Sequence, residues 1–177
     1  MLHVVGFETT GVVFGDLSFL DPDPLPGQEG LERGVRLEVR LLVREALRGS
    51  RYSAQPISVA EPIWRVDLLE SVDGVPGSLD RAHHHPVIAG WEVGPRVFDA
   101  ALSADPLGWV GARLSDLDRL VEQSGVDPAR VDRGDAPRLR QAVPDILQAL
   151  ERLLDQVRGE PAPPVPVGAG ELRRGWL

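Results

Sequence analysis

The chain has 177 residues, of which 42% are hydrophobic and 26% are charged, and its formal net charge at pH 7 is −8. These proportions are typical of one globular domain, and no apolar run reaches the roughly 18 residues of a membrane-spanning helix, which argues against fibrous, disordered and membrane-embedded classes. The acidic charge, with no strongly basic segment, argues against nucleic acid as a partner. Because the chain has no cysteine and no signal-like N-terminus, we expect a cytoplasmic protein.

The first part of the chain is predicted to form strands. The β-branched and aromatic residues at 2–7 and 11–14 favour two short strands. Prolines at positions 22, 24 and 26 donate no backbone hydrogen bond, so this segment is predicted to be a surface loop.

The strongest local pattern is the alternation of apolar and charged residues over 35–44. Its apolar positions are Val35, Leu37, Val39, Leu41 and Val43. A period of two is typical of a half-buried strand. We therefore expect these five residues to be buried, and the intervening Arg36 and Arg40 to be exposed and solvated.

A second β-rich segment covers 57–69. Pro62 within it predicts a bulge or an edge position, because proline cannot donate to a ladder. Residues 48–51 have the composition of a hairpin turn, so this segment is predicted to pair with the strand at 35–44. A loop at 73–78 and a strand over 79–85, ended by Pro86, complete the predicted sheet.

From residue 103 the apolar period becomes helical. Asp105 and Pro106 have the composition of a helix start and Gly125 that of a helix stop, which predicts a helix near 106–123. A further helix is predicted from about Asp135 to Arg158. Pro144 within it predicts either a kink or the start of a separate helix.

These elements predict an α+β fold. We expect a single domain over 1–160, with an antiparallel sheet of four to six strands in 1–101. Two or three amphipathic helices in 102–160 should pack on one face of that sheet. Residues 161–177 form a Pro/Gly-rich tail, which is expected to be extended or flexible.

Three of the four histidines are consecutive, at His83, His84 and His85. In a strand, His83 and His85 point to one face and His84 to the other, so two imidazoles could reach one metal ion. Two histidines and one carboxylate are typical of catalytic zinc or non-haem iron, so the cofactor that these residues could hold is a divalent metal. The candidates for the carboxylate are Asp80, Glu92, Asp99 and Asp67.

Two other interpretations of these histidines stay open. Without a metal, His83 and His85 could act as general acid and base, with Arg81 or Arg96 stabilising a developing oxyanion or phosphorane. This chemistry would suit cleavage of an ester or a phosphodiester. Alternatively, the rings are structural and hydrogen-bonded to backbone or to Asp80. The sequence therefore leaves open whether the protein is an enzyme.

The C-terminal segment 171–177 has the composition of a docking segment. Leu172, Trp176 and Leu177 supply apolar area, while Arg173 and Arg174 supply a polar rim suited to a partner protein or a second copy of the chain. The first functional expectation is therefore a binding or assembly module that acts through oligomerisation or this tail. The second is a small hydrolase centred on the three consecutive histidines.

Overall fold

Strands occupy the first part of the chain and helices the second, as the change of period predicts. The computed structural model describes residues 1–21 and 23–161, and the backbone of 173–175. The strands are β1 Leu2–Gly6, β2 Thr10–Phe19, β3 Glu32–Arg44, β4 Ile57–Ser71, β5 His83–His85, β6 Ile88–Ala89, β7 Glu92–Val93 and β8 Arg173–Gly175. The helices are α1 Ala100–Ala104, α2 Pro106–Leu114, α3 Leu117–Ser124 and α4 Asp135–Gly159, with a 3₁₀ turn at Pro128–Arg130.

The main sheet is antiparallel and its strands follow chain order. β1 pairs with β2, β2 with β3, β3 with β4 and β4 with β5, while β8 pairs with the last residues of β2. β6 and β7 form a separate hairpin. The predicted α+β fold, an antiparallel sheet followed by helices, is confirmed.

One face of the sheet carries the main hydrophobic core. Val35, Leu37 and Val39 of β3 are fully buried, and α4 packs against β2 and β3. The alternation over 35–41 therefore defines the buried face of the strand as predicted. Val43 differs, with 44% exposure, because residues 42–44 pair with β4 but lie beyond the end of β2.

The opposite face of the sheet is polar but is not open to water. Arg36 is only 4% exposed, and the adjacent Glu38 and Asp67 are also buried. The prediction of a solvated Arg36 is therefore wrong, and Arg40 is only partly exposed. The physical reason is that β6 and the segment around Arg96 cover this face. The charged residues of β3 form a buried polar layer instead of a surface.

Pro62 interrupts the register between β3 and β4, as predicted. Pro62 lies opposite Arg40, and the register shifts on both sides of that arginine. The connection over 45–56 makes the two long strands a hairpin. Its hydrogen-bonded turn covers 50–53, two residues later than predicted, with the Ser53 N–H donating to the Ser50 carbonyl at 2.9 Å. This hairpin places Asp67 of β4 beside the polar residues of β3.

One helical prediction is wrong, and one of the two alternatives for another is excluded. The helix predicted near 106–123 is two helices, because the Asp116 carboxylate accepts a hydrogen bond from the Arg119 N–H at 3.3 Å and starts α3. α4, which the structure describes in full, runs through Pro144 as one helix instead of starting again there. Within residues 1–21 and 23–161, no helix is both long enough and apolar enough to cross a membrane.

The strand predicted over 79–85 is shorter than expected. Only residues 83–85 of this segment pair with β4. Leu79 has a φ of 46° and its carbonyl accepts a hydrogen bond from the Ala82 N–H at 2.9 Å, so residues 79–82 form a turn. After this turn, the three histidines form the last strand of the sheet, next to β4.

One buried carboxylate ties the start of α4 to the turn between β1 and β2. Asp135 accepts hydrogen bonds from the backbone N–H groups of residues 8–10, at 2.9 to 3.0 Å, and from the hydroxyls of Thr9 and Thr10. Burial alone would raise the pKa of Asp135, but these hydrogen bonds outweigh burial and lower it. The helical layer is therefore anchored to the sheet by an ionised group.

Candidate metal centre and its pocket

The candidate site lies on the polar face of the sheet, where three strands place side chains in a row. Arg36 of β3 is directly opposite Asp67 of β4, and His83 of β5 is opposite Asp67 on its other side. His85 lies opposite Arg65, two positions along each strand, and so on the same face. His83 and His85 thus share a face, as the period of two predicts.

Asp67 is the centre of this group, and its side chain is almost completely buried. Arg36 Nε donates to Oδ1 at 2.8 Å, while Arg65 Nε and Nη2 donate to Oδ2 at 2.9 and 2.6 Å. Burial alone would raise the pKa of Asp67, but the charges of Arg36 and Arg65 hold it well below its usual range. Asp67 is therefore a carboxylate at neutral pH in spite of its burial.

A backbone carbonyl orients each of the two histidine rings. His83 Nδ1 lies 2.8 Å from the carbonyl oxygen of Arg81, and His85 Nδ1 lies 2.7 Å from that of Gly94. Because a carbonyl oxygen only accepts, each Nδ1 carries the hydrogen and donates it. In the neutral ring, Nε2 then keeps a free lone pair, which is the arrangement of metal-ligating histidines.

The two Nε2 atoms both lie near the same carboxylate oxygen. His83 Nε2 is 3.4 Å and His85 Nε2 is 3.7 Å from Asp67 Oδ2, and the three ligand atoms lie within 4.8 Å of one another. These separations exceed the roughly 2.7–2.9 Å of a charge-assisted hydrogen bond. They are close to the edge of about 3.4 Å of a tetrahedral zinc site with bonds of about 2.1 Å. The group therefore has the spacing of ligands around an ion.

A small pocket opens beside these three residues. It has a volume of about 180 Å³ and is lined by Phe19, Arg36, Arg65, Asp67, Leu69, His83, His85 and Arg96. The Arg96 guanidinium lies 5.5 Å from the centre of the Phe19 ring and donates to the Asp21 carboxylate at 2.9 Å. Pockets for drug-sized ligands measure roughly 300–1,000 Å³. This pocket suits a small ligand or the charged end of a larger one.

Glu32 is a buried carboxylate next to Arg96 that no sequence pattern singled out. Arg96 Nη1 and Arg81 Nε lie 3.6 and 4.0 Å from its Oε1. Neither Glu32 oxygen accepts a hydrogen bond from the described residues, and burial raises the pKa of this carboxyl group. Glu32 and Asp21 together offset the charge of Arg96.

The carboxylate that joins the histidines is Asp67, which is distant from them in sequence. Asp80 accepts two hydrogen bonds from serine residues, at 2.9 and 3.0 Å, and Asp99 caps α1. Glu92 is exposed on β7. The structure therefore groups neither Asp80 nor Glu92 with the histidines, because the turn at 79–82 and the β6–β7 hairpin direct them elsewhere.

The two predicted arginines have different positions. Arg96 lines the pocket. The Arg81 side chain donates to the Gly27 carbonyl at 2.6 Å, and it is the Arg81 backbone carbonyl that contacts the site, by accepting from His83 Nδ1. Arg36 and Arg65, which sequence analysis did not select, are the arginines that contact Asp67.

The other two histidines lie outside this group. His84 points to the helical side, with its ring centre 4.9 Å from that of Trp109, and burial followed by the charge of Arg113 lowers its pKa. His3 lies on β1, at the far side of the sheet from β5, and stacks on Phe14. Each has a packing role in the structure.

The predicted docking segment lies largely outside the described residues. This applies to Leu172, Trp176 and Leu177, and to the side chains of Arg173 and Arg174. The backbone of β8 pairs with residues 17–19 of β2. Partner binding by these five residues stays a prediction.

The arrangement as a whole places two imidazole lone pairs and a carboxylate beside three guanidinium groups, around one small pocket. Comparison of the chain with protein-family models, with curated proteins and with solved structures gives no match. Inference about function therefore rests on the geometry of this site.

Proposed function

We propose that the protein is a small hydrolase that holds a divalent ion of the zinc class through Asp67, His83 and His85. The observation that carries this proposal is the convergence of His83 Nε2, His85 Nε2 and Asp67 Oδ2 while both Nδ1 atoms donate to backbone carbonyls. Three lone-pair atoms at such short range repel one another, and a divalent ion held between them would replace that repulsion with attraction.

The donor set and its spacing favour zinc over other divalent ions. Imidazole nitrogen and carboxylate oxygen are both good zinc ligands, and a catalytic zinc site has three protein ligands and one open position. Larger hard cations such as Ca²⁺ prefer six or more oxygen ligands, whereas two of the three ligands here are imidazole nitrogens. When bound, such an ion lowers the pKa of its water to about 7 and polarises the substrate.

The proposed reaction is hydrolysis of an ester of a small anionic compound. The oxygen of water forms a bond to the phosphorus or acyl carbon, and the bond from that atom to the ester oxygen breaks. The attacking water loses one proton and the leaving alkoxide gains one, so the products are an acid and an alcohol. Arg36, Arg65 and Arg96 line the pocket, where their charges would stabilise the negative charge of the transition state.

Metal binding is the first test of this proposal. We expect protein purified without an affinity tag to bind about one equivalent of zinc, or of cobalt as its visible-absorbing substitute. His83→Ala and His85→Ala should each weaken binding at least about tenfold. His3→Ala is the matched control and should bind as the wild type does, because His3 lies on β1. A folded wild-type protein that takes up neither ion at micromolar concentration contradicts the proposal.

Activity is the second test. Nitrophenyl phosphate and nitrophenyl acetate report the two ester classes by colour, and a chelator should abolish cleavage while added zinc restores it. Cleavage that persists in chelator but disappears in His83→Ala would support the metal-free reaction, with the two histidines as acid and base.

A binding or assembly function for the tail is a separate proposal. β8 pairs with β2 of its own chain, and the same pairing made between two copies would join them, because backbone addition to a sheet edge is a common way of recognising extended segments. Deleting residues 162–177 should leave the fold intact and weaken self-association or partner binding. Unchanged sedimentation and unchanged binding partners would contradict this second function.

A further inference from the structure

Two residues that line the pocket each have a buried polar atom without a hydrogen-bond partner among the described residues. Arg36 donates to Asp67 through Nε and, at 3.4 Å, through Nη2, but its buried Nη1 has no partner among the described residues. His85 Nε2 is likewise buried and unpartnered there. Unpaired buried polar groups cost free energy, so a metal ion on His85 Nε2 and an acceptor on Arg36 Nη1 would each bind favourably.

The charges at the pocket do not cancel. Asp67 is the carboxylate between Arg36 and Arg65, so two positive charges face one negative charge in a buried place. Arg96 also lines the pocket, whereas Asp21 and Glu32, the two carboxylates nearest to it, lie outside the lining. The lining itself therefore has three guanidinium groups and one carboxylate, in a chain whose net charge is −8.

This excess has a consequence for the metal. A divalent ion held by Asp67, His83 and His85 would lie close to the guanidinium groups of Arg36 and Arg65, which repel it. An anion in the same pocket would remove that repulsion and would be held in turn by the ion and the arginines. Metal and anion should therefore each strengthen the binding of the other.

We propose that this pocket binds the tetrahedral oxyanion of a phosphate ester jointly with the metal ion, with Arg36 Nη1 as a direct donor. As a substrate assignment this rests on the proposed function. A phosphate group carries up to two negative charges and has several acceptor oxygens in different directions. It thus matches a metal ion and guanidinium groups on separate walls better than a planar, singly charged carboxylate does.

Calorimetry of zinc binding with and without an anion tests this coupling. The probe is methylphosphonate, a phosphate-ester analogue without a hydrolysable bond, and acetate is the carboxylate comparison. In the wild type, we expect saturating methylphosphonate to lower the zinc dissociation constant at least about fivefold, and acetate to have a smaller effect. An equal effect of acetate would overturn the assignment to phosphate esters.

Variants of the arginines show which groups carry the effect. Arg36→Gln should bind zinc alone at least as tightly as the wild type, since a repelling charge is removed, yet lose most of the gain from methylphosphonate. Arg96→Gln, at a less buried position, should lose part of that gain and serves if Arg36→Gln fails to fold. Arg133→Gln is the control, because Arg133 is exposed and lies outside the pocket.

The outcomes separate the two proposals. Zinc binding that is the same with and without methylphosphonate overturns the coupling and leaves the metal site standing. No zinc binding by folded protein, with or without the anion, overturns the metal site and the coupling with it. A full methylphosphonate effect in both Arg36→Gln and Arg96→Gln overturns the assignment of the donors.

Discussion

Arg36 and Asp67 are a directly opposed cross-strand pair, with Arg36 Nε donating to Asp67 Oδ1 at 2.8 Å and both side chains buried. Arg65 donates to the other oxygen of the same carboxylate from two positions earlier on β4. One buried carboxylate therefore balances two guanidinium groups. Removing Asp67 therefore leaves both arginines unpaired, whereas removing one arginine leaves Asp67 paired with the other.

Asp67→Asn should destabilise the metal-free protein more than Arg36→Met does. The first change keeps the shape of the side chain but leaves the buried Arg36 and the partly buried Arg65 without the carboxylate that pairs with them, at a cost of about 3–5 kcal/mol. The second leaves Asp67 paired with Arg65 and should cost less, about 1–2 kcal/mol. Equilibrium urea unfolding in chelator measures both changes. Equal costs, or the reverse order, would show that Arg65 does not balance Asp67 as the geometry implies.

Val39→Asp should destabilise the domain by about 3–5 kcal/mol, because it places a charge without a partner among the core residues of β3. Val43→Asp is the matched control on the same strand and should cost less than about 0.5 kcal/mol, since Val43 is largely exposed. Urea unfolding of the two variants provides the comparison. Similar costs at both positions would refute the assignment of the buried face.

The fold was predictable from sequence where the local pattern of apolar residues matches what covers each face of the strand in the structure. The apolar alternation at 35–41 fixes a strand because its partners, the helices, bury that one face. The same alternation misassigned Arg36, because whether the second face is open depends on β6 and the segment around Arg96, far along the chain. No local pattern distinguishes a solvated arginine from one that a distant loop covers.

The candidate site was predictable only in part, for a related reason. The same-face placement of His83 and His85 follows from the period of a strand alone. The identity of the third group does not, because it depends on which residue of β4 lies opposite His83, and that register places Asp67 there. Asp80 and Glu92 are close to the histidines in sequence, but the turn at 79–82 and the β6–β7 hairpin place them outside the group.

Asp135→Ala should destabilise the protein by about 3 kcal/mol or more, because it leaves three backbone donors of the β1–β2 turn, buried or partly buried, without an acceptor. Asp145→Ala, at an exposed position of the same helix, is the control and should stay within about 0.5 kcal/mol of the wild type. Urea unfolding at neutral pH measures the difference. A loss no larger than that of the control would mean that the turn finds other acceptors.

The contribution of Asp135 should also depend on pH. Its pKa is lowered in the folded protein, so folding favours the ionised form, and the stabilisation is complete above the unfolded pKa of about 3.9. As the pH falls below that value and through the folded pKa, this stabilisation is lost. The difference in unfolding free energy between wild type and Asp135→Ala should therefore narrow from about pH 5 downwards. A difference that is constant or that widens on acidification would contradict the anchoring role of the ionised carboxylate.

Gly34→Ala tests how closely β3 and β4 approach each other where Gly34 pairs with Leu69. Gly34 has a φ of 155°, at the limit of the region that side chains avoid, and a Cβ there would overlap the backbone carbonyl oxygen of Leu68. Backbone atoms of a paired strand cannot move aside without breaking the ladder, so we expect a cost above about 2 kcal/mol. Gly30→Ala is the control, because the nearest atom to its added Cβ is Ser71 Oγ at 3.8 Å, an ordinary contact.

Gly34→Ala should also weaken zinc binding if the protein still folds, since Arg36 and Asp67 lie on these same two strands just beyond Gly34. A variant as stable as Gly30→Ala, with unchanged zinc affinity, would show that the strands have room at this position.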